Sequence, residues 1–505
     1  MTTHSFTDEI SQNHERAIAE ATDGAAFTAW INGEAYRTDE TFETRDPVVD
    51  EPITTIPRCG ADGIDLAVDA GRKAFEGAWG DFSHTERADR LLAWAERLTD
   101  TVDELALLES LDTGKPLVFA EAEICDGIEY IEYYAHLLYG ETDERVPVGS
   151  DTHAYSRKEP YGVAGLIVPW NYPVLLTSWK LGPALAAGNT VVLKPAEQTP
   201  LTATRLAQLA DGILPPGTLN VVHGFGDEAG SALTSHPDVD KLSFTGEDAT
   251  GELVMSAAAK NITPVTLELG GKSPFIVFPD ADLEAAAATA AEGIFYNTGQ
   301  SCDSLSRTLV HEEVHDEFIE LFEEAAAEWT VGDPLAEGTM IGPLASEQQF
   351  NKVRDYVDIG RKTDATLVTG GDAAEGFDAG WFVKPTIFDG VANTDRLAQE
   401  EIFGPVASVI TFGSYEEAIE LANDIEYGLA SAVATTDLSL AHRAAADIEA
   451  GTVWINDYAR FSPGLAFGGY KRSGIGRECG AETLDEYRQQ KTVAIATEDV
   501  SLDQS

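Results

Sequence analysis

One cysteine, Cys302, stands among small polar residues in the stretch GQSCDSLSR, where it could act as a nucleophile. The 505-residue chain has four cysteines, Cys59, Cys125, Cys302 and Cys479, and a buried, inert thiol is the commoner case for each. A nucleophilic thiol needs access, help toward the thiolate and donors aimed at the charge it creates. Gly299 and the neighbouring serines predict access. A helix beginning after the glycine turn would favour the thiolate, whereas Asp303 would oppose it.

Two polar side chains at predicted strand ends could assist such a thiol. Glu268 ends an apolar strand in VTLELGGKSP, and Asn171 follows a strand end in VPWNYP. A glutamate buried in a crevice has a raised pKa and becomes a usable base near neutral pH. The amide of Asn171 can donate a hydrogen bond to an oxyanion. Taken singly, Glu268 could also be a solvated strand-end residue and Asn171 a turn residue.

Residues suited to a nucleotide follow other predicted strand ends. In KPAEQTP, Lys194 can reach ribose hydroxyls, and Glu197 can accept from a 2′-hydroxyl and would repel the extra phosphate of NADP. The glycine-rich stretch GFGDEAG also follows a strand. Its spacing is not G-x-G-x-x-G, so by itself it is a weak indication of a phosphate site.

The hydrophobic pattern predicts the elements that position these residues. Apolar runs alternate with helical patterns at 163–168, 190–193, 219–222, 241–244, 264–269 and 275–278. Such alternation predicts an α/β fold with an open, doubly wound parallel sheet, whose ligands lie beyond the carboxyl ends of the strands. A second alternating region, from about 281 to 455, predicts a second α/β domain. The stretch 487–497 predicts a lone strand, which needs a neighbour in this subunit or another.

The chain is strongly acidic, with 87 Asp and Glu against 33 Lys and Arg and a net charge of −54. This charge disfavours binding to nucleic acid and to anionic membranes. The acids recur along the whole chain, and in molar salt their mutual repulsion is screened over about 3 Å. We interpret them as a surface suited to the high-salt cytoplasm of a halophile, with cationic partners as the alternative.

Other sequence features favour a cytoplasmic protein. The N-terminus lacks the basic start and apolar core of a signal peptide, and no run of 18 apolar residues occurs. The cysteines show no zinc-ligand spacing, so no metal site is expected.

Seven motifs together resemble those of the aldehyde dehydrogenase superfamily, in that family's order, from about Trp30 to Val493. They are PWNYP, KPAEQTP, FTGEDATG, LELGGKSP, GQSC, EEIFGPV and FGGYKRSGIGRECG. The resemblance implies a Rossmann-like cofactor domain at 20–144 and 162–272 and an α/β catalytic domain at 273–480. It also implies a small β oligomerisation element at 145–161 and 481–505, and hence a homodimer or homotetramer.

The resemblance also implies roles for individual residues. Cys302 would be the nucleophile, Glu268 the general base and Asn171 the oxyanion donor, while Lys180 and Glu478 would relay the proton away from the base. The implied cofactor is NAD, favoured over NADP by Glu197, although NADP remains possible. Its contacts would be Val168, Trp170, Lys194, Glu197, Gly226, Gly230, Phe244, Gly246, Leu269, Glu401 and Phe403. The sequence departs from the family pattern at Glu247, where the family usually has serine. The carboxylate of Glu247 must turn to solvent to avoid repulsion by the cofactor's pyrophosphate.

By resemblance, the reaction is oxidation of an aldehyde to the free acid through a thiohemiacetal and a thioester. The implied pocket is an aromatic tunnel with acid at its mouth, formed by Tyr172, Leu175, Trp179, Tyr296, Ser301, Asp303, Asp457, Tyr458, Phe461 and Phe467. It suits either a cationic aldehyde, such as betaine aldehyde or an aminoaldehyde, or a plain hydrophobic one. A semialdehyde dehydrogenase using NADP is less favoured, because Ser301 and Asp303 offer no arginine. A non-catalytic binding scaffold and a cysteine esterase are the alternatives from other classes.

Overall fold

Eight strands form the first sheet of the computed structural model, which describes residues 6–23, 26–377 and 379–497. In spatial order they are β2 (Glu34–Tyr36), β1 (Ala29–Ile31), β9 (Leu219–Val221), β8 (Thr190–Lys194), β7 (Val163–Ile167), β10 (Lys241–Thr245), β11 (Val265–Glu268) and β21 (Gly474–Ile475). The five strands from β9 to β11 are parallel. Strands β7, β8 and β10 are buried along their whole length, as expected of strands covered on both faces.

Seven strands form the second sheet. In spatial order they are β14 (Thr366–Thr369), β15 (Thr386–Asp389), β16 (Val406–Phe412), β13 (Arg307–His311), β12 (Pro274–Val277), β18 (Ala430–Ala434) and β19 (Thr452–Ile455). All of its neighbouring strands are parallel except β14, which is an antiparallel edge. The predicted second α/β unit is therefore present.

Three smaller groups of strands complete the β structure. A three-stranded sheet has the order β22 (Arg488–Ala496), β6 (Thr152–Pro160) and β5 (Glu144–Val146). The two strand pairs are β3 (Thr41–Asp46) with β4 (Glu51–Pro57), and β17 (Tyr427–Gly428) with β20 (Tyr470–Lys471).

Helices cover both sheets. They are α1 (Phe6–Thr22), α2 (Ala61–Phe75), α3 (His84–Thr99), α4 (Val102–Thr113), α5 (Leu117–Leu137), α6 (Pro173–Ala186), α7 (Leu201–Leu209), α8 (Ser231–Ser235), α9 (Asp248–Ala258), α10 (Leu283–Phe295), α11 (His315–Ala327), α12 (Glu347–Gly360), α13 (Arg396–Gln399), α14 (Tyr415–Asn423), α15 (Leu438–Asp447) and α16 (Thr483–Glu486). One apolar core lies against the first sheet. It buries Trp94 of α3, Tyr134 of α5 and Leu181 of α6. In the described parts of the chain, no helix combines the length and the apolar character needed to cross a membrane.

One expectation about strands needs correction, and another is met. The first sheet is not purely parallel, because β1, β2 and β21 add antiparallel edges. Strands of two or three residues carry too little periodicity to be recognised from sequence. The neighbour that the tail strand was expected to need is in the same chain, since β22 pairs along its whole length with β6. Of the predicted oligomerisation element, residues 498–505 lie outside the described residues, as do 24, 25 and 378 in the other two predicted domains.

A buried histidine fastens α1 to the body of the protein. His14 is fully buried, with its Nδ1 2.5 Å from Oδ2 of Asp46 and its Nε2 2.9 Å from Oδ1 of Asp333. Burial alone would lower the pKa of His14, but the bonds to Asp333 and Asp46 outweigh it and raise the pKa from 6.5 to about 9. A cation held between two carboxylates therefore joins the N-terminal helix to the end of β3 and to the loop that carries Asp333.

We expect this ion cluster to make the stability of the fold depend on pH. A raised folded-state pKa gives stabilisation that is complete below the unfolded value of 6.5 and is lost as pH rises through about 9. At the lower pH it amounts to roughly 3 kcal/mol. Thermal unfolding midpoints of the wild type and His14→Gln, measured at pH 6 and pH 9.5, should differ widely at pH 6 and converge at pH 9.5. The exposed His442→Gln should track the wild type, and a gap of equal size at both pH values would contradict the assignment.

Candidate active site

The loop carrying Cys302 begins with a left-handed turn after α10. Asn297, Thr298 and Gly299 have φ values of 49°, 58° and 71°. A Cβ on Gly299 would lie 2.3 Å from the backbone of Gly404, so only glycine fits there. Gly299 is therefore needed for a close backbone approach, a role that the sequence did not predict. Cys302 itself is partly exposed.

The electrostatic surroundings of Cys302 favour the neutral thiol. Burial raises its pKa well above the usual value, and the carboxylates of Asp303, Glu401 and Glu268 raise it further. The expected helix N-terminus is absent, since residues 301–306 form no helix. The opposing effect of Asp303 therefore prevails, and the resting protein holds a protonated thiol surrounded by three acids.

The side chain of Asn171 is fixed directly beside the nucleophile loop. Its Nδ2 donates to the carbonyl oxygen of Gln300 at 2.9 Å. In return, Nδ2 of Asn297 donates to the carbonyl oxygens of Asn171 at 3.0 Å and of Gln300 at 3.2 Å. Because a primary amide has two N–H groups, one donor of Asn171 remains for a ligand. Asn297 was not predicted from sequence, because its contribution depends on the unusual turn.

A buried lysine, also not predicted, supports Asn171 from behind. Lys115 Nζ donates to the carbonyl oxygen of Asn171 at 3.1 Å, forms an ion pair with Glu123 and lies 4.4 Å from the ring centroid of Tyr172. Lys115 is 2% exposed. The sequence does not indicate this role, because Asn171 lies 56 positions away along the chain.

Glu268 lies at the carboxyl end of β11 and is 6% exposed. Neither carboxylate oxygen has a hydrogen-bond partner among the described residues. Burial raises the pKa of Glu268 well above its usual value, and the neighbouring Glu478 raises it further. The next loop brings this base toward the thiol, because a Cβ on Gly271 would meet the carbonyl oxygen of Cys302 at 2.4 Å.

Lys180 and Glu478 form a buried ion pair near this base. Their Nζ and Oε1 atoms are 2.5 Å apart, and Nζ also donates to the hydroxyl of Ser243 at 3.0 Å. Both partners are at most 3% exposed. The structure therefore places the predicted relay pair next to Glu268 and connects it to β10.

The predicted ribose-binding residues line the carboxyl edge of the first sheet. Lys194 ends β8, donates from Nζ to the carbonyl oxygen of Pro195 at 3.1 Å, and lies 3.6 Å from Oε2 of Glu197. Burial lowers the pKa of Lys194. Since an ammonium has three donors, Lys194 can still bind hydroxyls. Gly226 faces open space, since a Cβ at this position would have no atom within 4 Å, so the crevice can accept a nucleotide there.

The segment EEIFGPV closes the opposite side of the crevice. Glu401 Oε1 accepts from the backbone N–H of Gly271 at 2.9 Å, and burial raises the pKa of Glu401 to about 7. Phe403 has φ of 61°, and its ring lies edge-on to Trp170 with centroids 5.3 Å apart. Gln349, which was not predicted from sequence, donates to the carbonyl of Phe403 at 2.6 Å and helps to hold this strained residue.

The remaining predicted cofactor contacts are mostly buried around the same edge. These residues are Val168, Phe244 and Leu269, all under 10% exposed, with Gly230 beside Lys194 and Gly246 bonded to the carbonyl of Glu268. Glu247 is exposed to solvent.

Aromatic side chains pack together on the other side of Cys302. The centroids of Trp179, Phe461 and Phe467 lie 5.3–5.7 Å from one another. Trp454 joins them at 5.8 Å from Phe461 and 5.4 Å from Tyr458. Further along, Tyr296 packs on Phe119 at 4.8 Å, while Tyr172 and Leu175 are half-buried. Trp454 and Phe119 lie outside the quoted motifs and were not predicted.

The acids of the pocket differ from the expectation. Asp303 is 3% exposed and accepts a hydrogen bond from Ser301 at 2.5 Å, so it lies inside the protein and not at a tunnel mouth. Burial raises its pKa. Asp457 is more exposed and is neutralised by Arg460, whose Nε lies 3.0 Å from its carboxylate.

This arrangement can activate a carbonyl. A thiol, an amide donor and a buried carboxylate lie together beside a crevice suited to a nucleotide. They define the class of enzymes that oxidise a carbonyl compound through a covalent thiol adduct.

Comparisons with known proteins identify the family. A model of the aldehyde dehydrogenase family matches residues 30–493. An aldehyde dehydrogenase of Emericella nidulans is 44% identical over 92% of this chain and 94% of its own. Family 2 member B4 of Arabidopsis thaliana, a mitochondrial aldehyde dehydrogenase, is 46% identical over 90% of this chain and 85% of its own. The chain belongs to the aldehyde dehydrogenase family.

Solved structures agree with this assignment. The NAD⁺ complex of an aldehyde dehydrogenase from Bacillus cereus has a TM-score of 0.93 at 42% identity, covering 95% of this chain and 98% of that one. A mutant of the indole-3-acetaldehyde dehydrogenase AldA of P. syringae, in complex with NAD⁺ and IAA, has a TM-score of 0.94 at 41% identity. That match covers 96% of this chain and 99% of the other.

Proposed function

We propose that this protein oxidises an uncharged, apolar or aromatic aldehyde to the free carboxylic acid, with NAD⁺ as the oxidant. The observation that carries the proposal is that the segments containing Asn171 and Glu268 both contact the loop that carries Cys302. Asn171 is bonded to Gln300, Gly271 is packed against Cys302, and the unpartnered Glu268 lies three residues before Gly271.

Cys302 is the nucleophile in this proposal. Its sulfur attacks the aldehyde carbon, and the thiol proton passes to a nearby carboxylate. The resulting oxyanion receives hydrogen bonds from the free N–H of Asn171 and from the backbone N–H of Cys302. Bound NAD⁺ supplies the hydride acceptor that turns this adduct into a thioester. Glu268 then removes a proton from a water molecule, which attacks the thioester and releases the acid.

Lys194, Glu197 and Glu401 are the residues that would hold NAD⁺. Lys194 has unused donors and Glu401 a buried carboxylate, which suits two sets of ribose hydroxyls. Glu197 disfavours NADP⁺, because a carboxylate beside the 2′-position repels a phosphate. The NAD⁺ complexes of the related structures support the same cofactor.

The lining of the pocket supports an uncharged substrate. Trp179, Phe461 and Phe467 offer aromatic surface and no charged group. Asp303 bonds through Oδ1 to Ser301, and burial raises its pKa, which opposes the ionised form that would attract a cationic aldehyde. Arg460 is 71% exposed and paired, so it does not clamp a distal carboxylate. The related indole-3-acetaldehyde dehydrogenase is named for an aromatic aldehyde, which supports this class.

The surface supports work at high salt. Helix α11 alone exposes Glu317, Glu320, Glu323 and Glu324, and the chain carries a net charge of −54. Molar salt shortens the Debye length to about 3 Å and removes most of the repulsion among such groups. We therefore propose a halophilic, cytoplasmic enzyme.

The third sheet supports an oligomer. Strand β22 is an edge strand that exposes Ile495, and an unpaired edge of this kind can bind another subunit. We propose a homodimer or homotetramer. We also propose the domain boundaries given by the sequence, with cofactor, catalytic and oligomerisation segments as stated above.

A panel of aldehydes tests the proposal. Phenylacetaldehyde, hexanal, betaine aldehyde and succinate semialdehyde are compared with NAD⁺ and NADP⁺, at low salt and in about 3 M KCl, where the Debye length is about 2 Å. We expect kcat/KM to be at least about tenfold higher for the uncharged aldehydes and for NAD⁺, a difference of about 1.4 kcal/mol. A preference for betaine aldehyde or NADP⁺ would contradict the proposed specificity, and activity that is highest at low salt would contradict the salt adaptation.

A further inference from the structure

Strand β10 carries polar residues where a buried central strand is normally apolar. Lys241, Ser243 and Thr245 alternate along it, and all are under 10% exposed. Alternate residues of a strand share one face, so these three side chains form a polar row on the first sheet. The hydrogen bond between Ser243 and Lys180 shows that this row faces α6 and the relay pair.

The register places this row beside the proposed base. Thr245 pairs with Glu268 and Ser243 with Thr266 on the neighbouring parallel strand β11. Side chains of paired residues in parallel strands lie on the same face, so the row begins at Glu268. It ends at Lys241, the first residue of β10, about 13 Å away along the strand.

The far end of the row meets a partly exposed acid. Lys241 Nζ lies 3.9 Å from Oε2 of Glu486 and 5.8 Å from the ring centroid of Tyr487. The side chain of Glu486 is 36% exposed, so this end reaches solvent. Lys180 and Glu478 are the other charged groups close to Lys241.

We propose that this polar row is a proton exit route, in which Ser243 and Lys241 carry the proton taken up by Glu268 to Glu486 and solvent. The proposal rests on the proposed function of Glu268 as the base for thioester hydrolysis. It assigns a direction to the relay pair, along β10 toward Glu486.

The proton balance is simple. An O–H bond of the attacking water breaks, and Glu268 gains the proton. Glu268 passes this proton to Glu478. Lys180 donates a proton to the hydroxyl oxygen of Ser243, and Glu478 replaces the proton that Lys180 has lost. The hydroxyl proton of Ser243 moves to a neutral Lys241, which releases one proton toward Glu486. One proton leaves the site, and nothing is oxidised or reduced.

The environment of Lys241 suits this transfer. Burial lowers its pKa to about 8, while Glu486 opposes the shift. An amine with a pKa of about 8 is neutral in roughly one molecule in ten at pH 7 and in about half of them at pH 8. It can therefore both accept and release a proton, unlike an ordinary surface lysine.

Two substitutions of Lys241 distinguish proton transfer from charge or packing. Lys241→Met removes the amine, whereas Lys241→Arg keeps a positive charge beside Glu486 but cannot release a proton. The NADH burst of the first turnover and the decay of the acyl-enzyme are measured by stopped flow and acid quench, in H₂O and D₂O across pH. Glu482→Gln, an exposed acid off the row, is the control and should match the wild type.

We expect both Lys241 variants to keep the full burst and to lose about tenfold or more in acyl-enzyme decay, with a larger solvent isotope effect and a changed pH profile. Rescue by arginine, or decay at the wild-type rate in both variants, would overturn the route. A decrease of the same size in the NADH burst and in the rate of acyl-enzyme decay would also overturn the route, because it would indicate a structural role for Lys241. Glu268→Gln is measured in parallel. If its acyl-enzyme also decays at the wild-type rate, Glu268 is not the base, and the proposed function itself is contradicted as well as the exit route.

Discussion

Replacing Cys302 with alanine should abolish aldehyde oxidation, lowering kcat by about 10⁴-fold or more. Without the sulfur no covalent adduct forms, and the remaining donors have no oxyanion to stabilise. Lys194 and Glu401 are untouched by the substitution, so binding of NAD⁺ should persist. The measurement is NADH absorbance with phenylacetaldehyde, together with NAD⁺ titration by protein fluorescence.

The chain provides its own control for this experiment. Cys125 is exposed on α5 and has no place in the site, so Cys125→Ala should retain the wild-type rate. Turnover by Cys302→Ala within tenfold of the wild type would show that another group is the nucleophile. Loss of NAD⁺ binding in the same variant would point instead to a collapsed fold.

Replacing Glu268 with glutamine should separate the two halves of the reaction. The first turnover should still give one NADH per site, whereas steady-state turnover should fall by about 10²- to 10⁴-fold because hydrolysis lacks its base. Burial and Glu478 raise the pKa of Glu268, so in the wild type the fraction of ionised base is small at low pH and grows with pH. The wild-type hydrolysis rate should therefore rise as pH increases toward that raised pKa.

The pH profile provides a second criterion for Glu268. In Glu268→Gln, the rise of the hydrolysis rate governed by this group should disappear, leaving a flatter profile in the same buffers. Glu292→Gln, at an exposed position on α10, is a matched carboxylate control that should keep the wild-type profile. An unchanged rise in Glu268→Gln would assign the titration to another residue.

Three of the proposed site residues could be found from sequence because they end or follow strongly patterned strands. The apolar runs at Asn171, Lys194 and Glu268 are buried strands, and their carboxyl ends meet at one edge of a parallel sheet. Hydrophobic patterning thus predicts where these side chains lie before any contact is known. Cys302 lies on a loop after α10 and was singled out by its small polar neighbours instead. Hydrophobic patterning also predicted both main sheets.

What sequence could not predict depends on contacts between distant segments. Lys115 supports Asn171 from 56 positions away, and nothing in its local pattern indicates that partner. The close approach of Gly299 to Gly404 was also missed, because only the folded chain brings the two glycines together. The sequence placed acid at the pocket mouth, whereas the fold buries Asp303 inside the protein, with Oδ1 accepting a hydrogen bond from Ser301.

The protonated state of the resting Cys302 has a consequence for the lifetime of the protein. Peroxides and alkylating reagents react with thiolates far faster than with thiols. Three surrounding carboxylates and burial keep this sulfur neutral, so adventitious damage between turnovers is slowed. The same acids that make the nucleophile harder to ionise thus protect it from irreversible oxidation to sulfinic and sulfonic acids.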